Sequence, residues 1–321
     1  MLEVQDLKID YNSPAGAVHA LRGVSLKIEK GEIFGVVGES GSGKSTLALA
    51  VAHLLDERTA EYVGGNINLL GVDMMRASRS AINRLRGTGI FMVFQDPFMS
   101  LDPLETVGSQ LLEAIAVRMK RASQRFDREK AAQLAIQSLE SVRVGDARNI
   151  MQRYPHQLSG GQNQRVMLAM AVAESPKLLI ADEPTTALDV TTQGQVLNVL
   201  KEIVEQNDMS VLYITHDLAV AGSLCDRIAV MYGGLVQEVG PTKDILLSPE
   251  HPYTVGLINS IPSKSKREGN LQAITGSFSW NDAGEKCAFA PRCPFAHEDC
   301  LAGTPAQIPR GERLVRCVNY V

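Results

Sequence analysis

No apolar run in this 321-residue chain approaches the roughly 18 residues that a bilayer-crossing helix needs. The opening residues, Met1-Leu2-Glu3-Val4-Gln5-Asp6, hold no basic patch followed by an apolar stretch, so no secretion signal is read there. An excess of one charge is missing too. The chain has 32 basic and 36 acidic residues, a net charge of −4, too weak a field to point to nucleic acid or anionic lipid. Cysteine is absent until Cys225, and the other four crowd into the tail as Cys287, Cys293, Cys300 and Cys317. The expectation is a cytosolic chain that works at a membrane, if at all, through other subunits.

Against those absences stands one stretch rich in glycine, Gly38-Glu39-Ser40-Gly41-Ser42-Gly43-Lys44-Ser45-Thr46. It follows an apolar run, Ile33 to Val37, and opens a helical one, Leu47 to Ala52. Strand, glycine loop and helix in that order are the context in which this pattern binds a phosphate. The glycines let successive N–H groups turn inward, and the helix start adds its positive dipole end. Lys44 is then expected to reach the β- and γ-phosphates of a nucleotide, and the Ser45 hydroxyl to ligate the magnesium between them.

A chain of this length divides readily, and its hydrophobic fraction of 45% is ordinary for a globular protein. Leu2 to Ile9 and Val24 to Ile28 alternate as half-buried strands do, around a turn-rich loop at Tyr11 to Gly16. Tyr11 offers a flat face for a purine ring. Gly64 to Gly71 and Gly89 to Phe94 read as strands, the second running into Gln95-Asp96-Pro97. From Val107 to about Val142 the pattern is helical, and its Arg118, Lys120, Arg121, Arg125, Arg128 and Lys130 read as a solvated face. Leu158-Ser159-Gly160-Gly161-Gln162 opens another helix, with Ser159 as N-cap. Two apolar strands end in chemistry, Leu178 to Asp182 with Glu183 next, and Ser210 to Thr215 with His216 next. Arg227 to Val239 reads as a hairpin turning at Gly233-Gly234. Strands alternating with helices predict an α/β fold with a largely parallel sheet, whose ligands sit at the carboxyl ends of the strands.

ATP hydrolysis asks for a magnesium carboxylate, a group that activates water and a sensor of the γ-phosphate. Asp182, Glu183 and His216 are candidates for these in turn, with Gln95 spanning magnesium and water.

These residues, in this order, resemble the ATP-binding cassette (ABC) family across roughly residues 1 to 250, a P-loop NTPase-type ATPase core with an antiparallel β subdomain. The phosphate loop, Gln95, the signature at Leu158 to Gln162, Asp182-Glu183, the Ala187-Leu188-Asp189 turn and His216 carry the likeness. The resemblance implies a helical subdomain at about 96–175 and a head-to-tail dimer of cassettes. Ser159, Gly161 and Gln162 would then act on the nucleotide held by the opposite subunit, and ATP would close the dimer. Nucleotide contacts are implied for Tyr11, Gly38, Ser40, Gly41, Ser42, Gly43, Lys44, Ser45 and Thr46, and for Gln95 and Asp182, which with Ser45 would ligate magnesium. Asn163 stands where many relatives carry a basic residue.

The tail, with His251-Pro252-Tyr253-Thr254, Ile261-Pro262 and the cysteine run from Cys287, resembles the C-terminal region of ATPase subunits of oligopeptide, dipeptide and nickel importers. The stretch Gln95 to Pro103 resembles the same subgroup. What this implies is a peripheral ATPase at the cytoplasmic face of a cell membrane. Its expected partners are a second cassette, expected to be a different chain, two permease subunits and an external substrate-binding protein. The domain expected beyond residue 250 runs over 251–321.

The spacing of Cys287, Cys293, Cys300 and Cys317 leaves a four-iron four-sulfur cluster, which some relatives carry, or zinc, or free thiols. The cluster is expected, with zinc as the alternative. Cys225 reads as a small core residue. Against a rival reading in DNA repair or at ribosomes, the chain has one phosphate loop and no long heptad-bearing insertion. The tail argues against an exporter.

Overall fold

The computed structural model describes residues 1–14, 16–96, 100–186, 188–261, 274–280 and 284–320. In chain order its elements are β1 Leu2–Ser13, β2 Gly16–Ile28, β3 Ile33–Val37, α1 Lys44–Val51, β4 Ala60–Leu69, β5 Val72–Asp73, α2 Arg79–Leu85 and β6 Ile90–Val93. Then come α3 Val107–Arg121, α4 Arg128–Ser141, α5 Ala147–Ile150, α6 Gly160–Glu174, β7 Leu178–Asp182, α7 Val190–Asn207, β8 Ser210–Thr215 and α8 Leu218–Leu224. The last are β9 Arg227–Tyr232, β10 Leu235–Pro241, α9 Thr242–Leu247, α10 Pro252–Ser260, α11 Asp299–Ala302, β11 Ile308–Arg310 and β12 Arg313–Val315.

They form two compact units. One comprises Met1, Glu29–Glu32 and Arg76–Leu212; the other comprises Leu2–Ile28, Ile33–Met75 and Tyr213–Val321.

In the first unit β6 pairs with β7 in parallel, Ile90 opposite Leu178 and Val93 opposite Ala181. All five residues of β7 are buried, the mark of a strand covered on both faces. Its helices begin at side-chain caps that satisfy otherwise orphaned N–H groups: Thr106 for α3, Asp127 for α4, Ser159 for α6 and Asp189 for α7. The basic stretch differs from the expected solvated face. Arg118 donates to the Ala173 carbonyl, and Arg121 stands 3.8 Å from Glu174, so two cations turn toward the end of α6. Cations are favourable there because the last carbonyls of a helix carry its negative dipole end. Lys120, Arg125, Arg128 and Lys130 remain exposed.

In the second unit β1 pairs antiparallel with β2 and β4, and β4 with β5. The two opening strands run further than their alternation predicts. Tyr11 lies within β1, opposite Val18 and Ala60, rather than in a loop, because ladder hydrogen bonds on both sides extend the strand through polar residues. β3 pairs with β9 in parallel, and β9, β10, β12 and β11 continue antiparallel. The β9–β10 hairpin turns at Gly233 and Gly234 as expected. The tail strand β12 registers Val315 against Glu238 of β10.

Candidate functional site

The phosphate loop leaves β3, whose five residues are all buried, and enters α1 at Lys44. A Cβ at Gly38 would lie 2.2 Å from the Met231 carbonyl oxygen and 2.8 Å from Ser42 Oγ, so only glycine lets the chain pass. Gly43 caps α1 from the left-handed region, φ 100°, and brings no capping side chain. The first N–H groups of the helix therefore have no side-chain cap. Lys44 is 5% exposed, and its Nζ donates to the carbonyls of Gly38 and Glu39 at 2.9 and 3.0 Å. Ser42 Oγ is buried with no hydrogen-bond partner among the described residues. A buried lysine, an unpartnered hydroxyl and an uncapped helix start suit a phosphate chain, whose oxygens satisfy all three.

Of the other residues expected at this loop, Ser40, Gly41 and Ser45 are exposed and Thr46 is half-buried. Tyr11 is half-buried in β1. His216 is exposed directly after β8, and Asp217 beside it caps α8 by accepting from Ala219 and Val220 N–H. All of these belong to the second unit.

The first unit holds the rest. Asp182 is the last residue of β7 and is 9% exposed. Glu183 follows with φ 46°, a conformation that costs a non-glycine residue of order 1–2 kcal/mol. Its Oε2 accepts from Thr186 Oγ1 at 3.0 Å and from Gln95 Nε2 at 3.4 Å. So two expected catalytic residues, 88 positions apart, meet at one carboxylate. Thr186 was not expected there; its place in the turn after β7 is the only signal that could have suggested it.

The signature opens α6 through a reciprocal capping box. Ser159 Oγ accepts from Gln162 N–H at 3.3 Å, and Gln162 Oε1 accepts from Ser159 N–H at 3.0 Å. A Cβ at Gly161 would lie 2.5 Å from Thr192 Cγ2. Asn163 is fully buried; its Nδ2 donates to the Pro155 carbonyl at 2.9 Å. The Asp189 carboxyl is held below the usual carboxylate range, by the Thr192 hydrogen bonds first. Ala187 of the expected turn, Pro97 to Met99 and Pro262 lie outside the described residues.

None of the four tail cysteines forms a disulfide among the described residues. Burial raises the Cys287, Cys293 and Cys317 thiols above their ordinary value, and the neighbouring Cys300 adds to each. Cys287 N–H donates to the Cys300 carbonyl at 2.9 Å. Yet among the described residues no group of three or more His, Cys, Asp or Glu is placed to hold a metal ion. The four-thiolate centre expected from the spacing, cluster or zinc, is thus not formed by the described residues, although its sulfurs share one neighbourhood. Cys225 is buried at the end of α8, as a core residue should be.

Two tail residues that the sequence left unassigned, Tyr253 and Arg292, reach the phosphate loop at Glu39, at 3.0 and 2.6 Å.

Comparison with known proteins agrees with the geometry. Residues 21–186 match the ABC transporter family, and residues 237–300 match the oligopeptide/dipeptide transporter C-terminal region. The chain is 42% identical to the probable D,D-dipeptide transport ATP-binding protein DdpD of Escherichia coli, covering 100% of this chain and 96% of that one. It is 39% identical to the oligopeptide transport ATP-binding protein OppD of Salmonella typhimurium, over 100% and 94% of the two chains. Among solved structures, the ATP-binding cassette MJ0796, a dimer in a post-hydrolysis state bound to ADP and Pi, superposes with a TM-score of 0.67. That pair shares 27% identity over 75% of this chain and 99% of the other. The chain belongs to the ABC transporter family, as an ATPase subunit bearing the oligopeptide/dipeptide transporter C-terminal region.

Proposed function

We propose that this subunit hydrolyses ATP to drive an importer of oligopeptides, dipeptides or a related small solute. The observation that carries the cargo class is the match of residues 237–300 to the oligopeptide/dipeptide transporter C-terminal region, joined to full-length relatives named for peptide transport. Among the described residues no helix is long and apolar enough to cross a membrane, so passage belongs to other subunits. The assembly comprises this chain at the cytoplasmic face, a second and different cassette, two permease subunits and an external substrate-binding protein. Residues 1–250 act as the cassette, with a helical subdomain at about 96–175, and residues 251–321 as an accessory domain.

In the reaction Lys44 bears on the β- and γ-phosphate oxygens, while the N–H groups from Gly38 to Thr46 ring the chain of phosphates. Tyr11 stacks on the adenine ring. Ser45, Asp182 and Gln95 would hold magnesium, which would neutralise charge on the phosphate oxygens. Glu183 takes the proton of the attacking water as its oxygen bonds to the γ-phosphorus and the bond to ADP breaks. His216 hydrogen-bonds the γ-phosphate. Ser159, Gly161 and Gln162 complete the site of the opposite subunit, so the dimer closes only on a triphosphate. Support comes from the buried Lys44, the unpartnered Ser42 Oγ and the Gln95–Glu183 contact.

For the tail cysteines the metal reading is also a proposal: Cys287, Cys293, Cys300 and Cys317 hold a four-iron four-sulfur cluster, or zinc in its place. Three further cysteines near Cys300, none of the four in a disulfide, support it. Iron analysis and the visible spectrum of anaerobically purified protein test it, and four-coordinate zinc without iron would discard the cluster.

The function as a whole is tested by purifying the membrane assembly and identifying the ligand of its binding protein. A peptide supports the reading; a ligand unrelated to peptides, nickel or short sugars overturns it.

A further inference from the structure

Glu39, inside the phosphate loop, is gripped at both ends by the tail. Its main-chain N–H donates to Tyr253 Oη at 3.0 Å, from 214 residues away. Its carboxylate receives both terminal nitrogens of Arg292, Nη1 at 2.6 Å and Nη2 at 3.1 Å, from 253 residues away. Arg292 is anchored in turn. Its Nε donates to the Thr275 carbonyl at 3.0 Å, Nη1 also donates to Tyr232 Oη at 3.2 Å, and the side chain is 7% exposed. Tyr253 is fully buried, its ring 4.6 Å from that of Tyr232 and 5.3 Å from that of Phe289.

The carbonyl of Glu39 is one of the two that hold Lys44 Nζ; the other belongs to Gly38. A rigid strut therefore runs from the tail, through one residue, to the lysine of the nucleotide site. A two-pronged arginine–carboxylate contact fixes direction as well as distance. A loop already ordered before its ligand arrives loses less freedom on binding. We infer that Tyr253 and Arg292 are positioning residues for the phosphate loop, holding Glu39 so that Lys44 and the loop N–H groups are set for nucleotide before it binds. The inference rests on the assignment of residues 38–46 as the phosphate loop.

The test uses the full chain. Magnesium-dependent ATP affinity is measured by equilibrium dialysis, and hydrolysis is resolved into KM and kcat, for Arg292→Gln, Arg292→Lys, Glu39→Gln and the Arg292→Gln/Glu39→Gln pair. Arg292→Gln and Glu39→Gln should each weaken ATP binding and raise KM about five- to tenfold, with kcat within about twofold. The pair should be no worse than the worse single variant, because both remove one contact. Arg292→Lys should recover only part of the loss, since an ammonium lacks the fork. Unchanged KM in the single variants, or losses that multiply in the pair, overturns the inference. Should Arg292→Gln fail to fold, Tyr253→Phe decides: it keeps the ring and removes only the acceptor of the Glu39 N–H. A raised KM there supports the strut, and a parental KM overturns it. Failure of the parent chain to bind ATP with magnesium is a separate result, which refutes the phosphate-loop assignment itself.

Discussion

Thr186 Oγ1 donates a 3.0 Å hydrogen bond to Oε2 of Glu183, which stands three residues earlier in a left-handed conformation with φ 46°. The turn after β7 thus aims the carboxylate instead of letting it follow the strand, and Gln95 Nε2 meets the same oxygen at 3.4 Å. Strain of this kind persists only where surrounding structure enforces it.

Glu183→Gln keeps the shape and removes the proposed base. ATP turnover should fall by about 10²- to 10⁴-fold while ATP stays bound and the dimer stays closed. Phosphate release, with retained nucleotide measured alongside, checks this. Hydrolysis at the parental rate would show that Glu183 is not the base.

Lys44→Ala should act one step earlier. It removes the cation that the Gly38 and Glu39 carbonyls hold at 2.9 and 3.0 Å. Its loss should weaken magnesium-dependent ATP binding by at least about tenfold, the equivalent of about 1.4 kcal/mol. Equilibrium dialysis reads the change directly, and parental affinity would contradict the phosphate-loop role.

Ser159 separates stability from chemistry. Ser159→Ala loses the cap that accepts Gln162 N–H, at a cost of about 1 kcal/mol, visible as a lower unfolding midpoint. Ser159→Asp keeps a capping oxygen and should unfold near the parental midpoint. It also sets a negative charge where the signature is proposed to face phosphate, so ATP turnover should drop. A Ser159→Asp variant with parental turnover would rule out that contact.

His251 supplies a pH dependence. It is 1% exposed, and burial lowers its pKa to about 3, against a hydrogen bond to the Arg316 main chain that raises it. Its neutral Nδ1 accepts from Tyr253 N–H at 3.0 Å and so caps α10. Below about pH 6.5 the unfolded chain binds a proton that the folded chain does not. Stability should therefore fall as pH drops from about 6.5 toward 3, by up to about 1.4 kcal/mol per pH unit from this residue. His251→Asn retains an acceptor for the cap and cannot titrate, so its unfolding midpoint should depend less steeply on pH between about 6.5 and 4. Equal slopes in the two proteins would contradict this.

Much of the candidate nucleotide site was legible because its signals are local. The glycine pattern, the cap at Ser159 and the buried run Leu178 to Asp182 each declare themselves within a few residues. Strand ends were less legible, since Tyr11 joins β1 only through neighbours in β2 and β4. Arg118 and Arg121 looked like solvated charge because nothing near them in sequence names Ala173 or Glu174. The cysteine spacing predicted a metal centre, but ligand geometry depends on how the backbone folds around Cys300, and the described thiols do not form one.

By itself, then, the amino-acid order determined which stretches become strand, loop and helix, and which side chains are candidates for the chemistry. Backbone sterics, apolar period and capping act over a turn or two of chain. Only the tertiary structure decided that Gln95 meets Glu183 and that Tyr253 and Arg292 hold Glu39, because those contacts join residues 88 to 253 positions apart. Such pairings follow from how whole elements pack, and no periodicity along the chain records them.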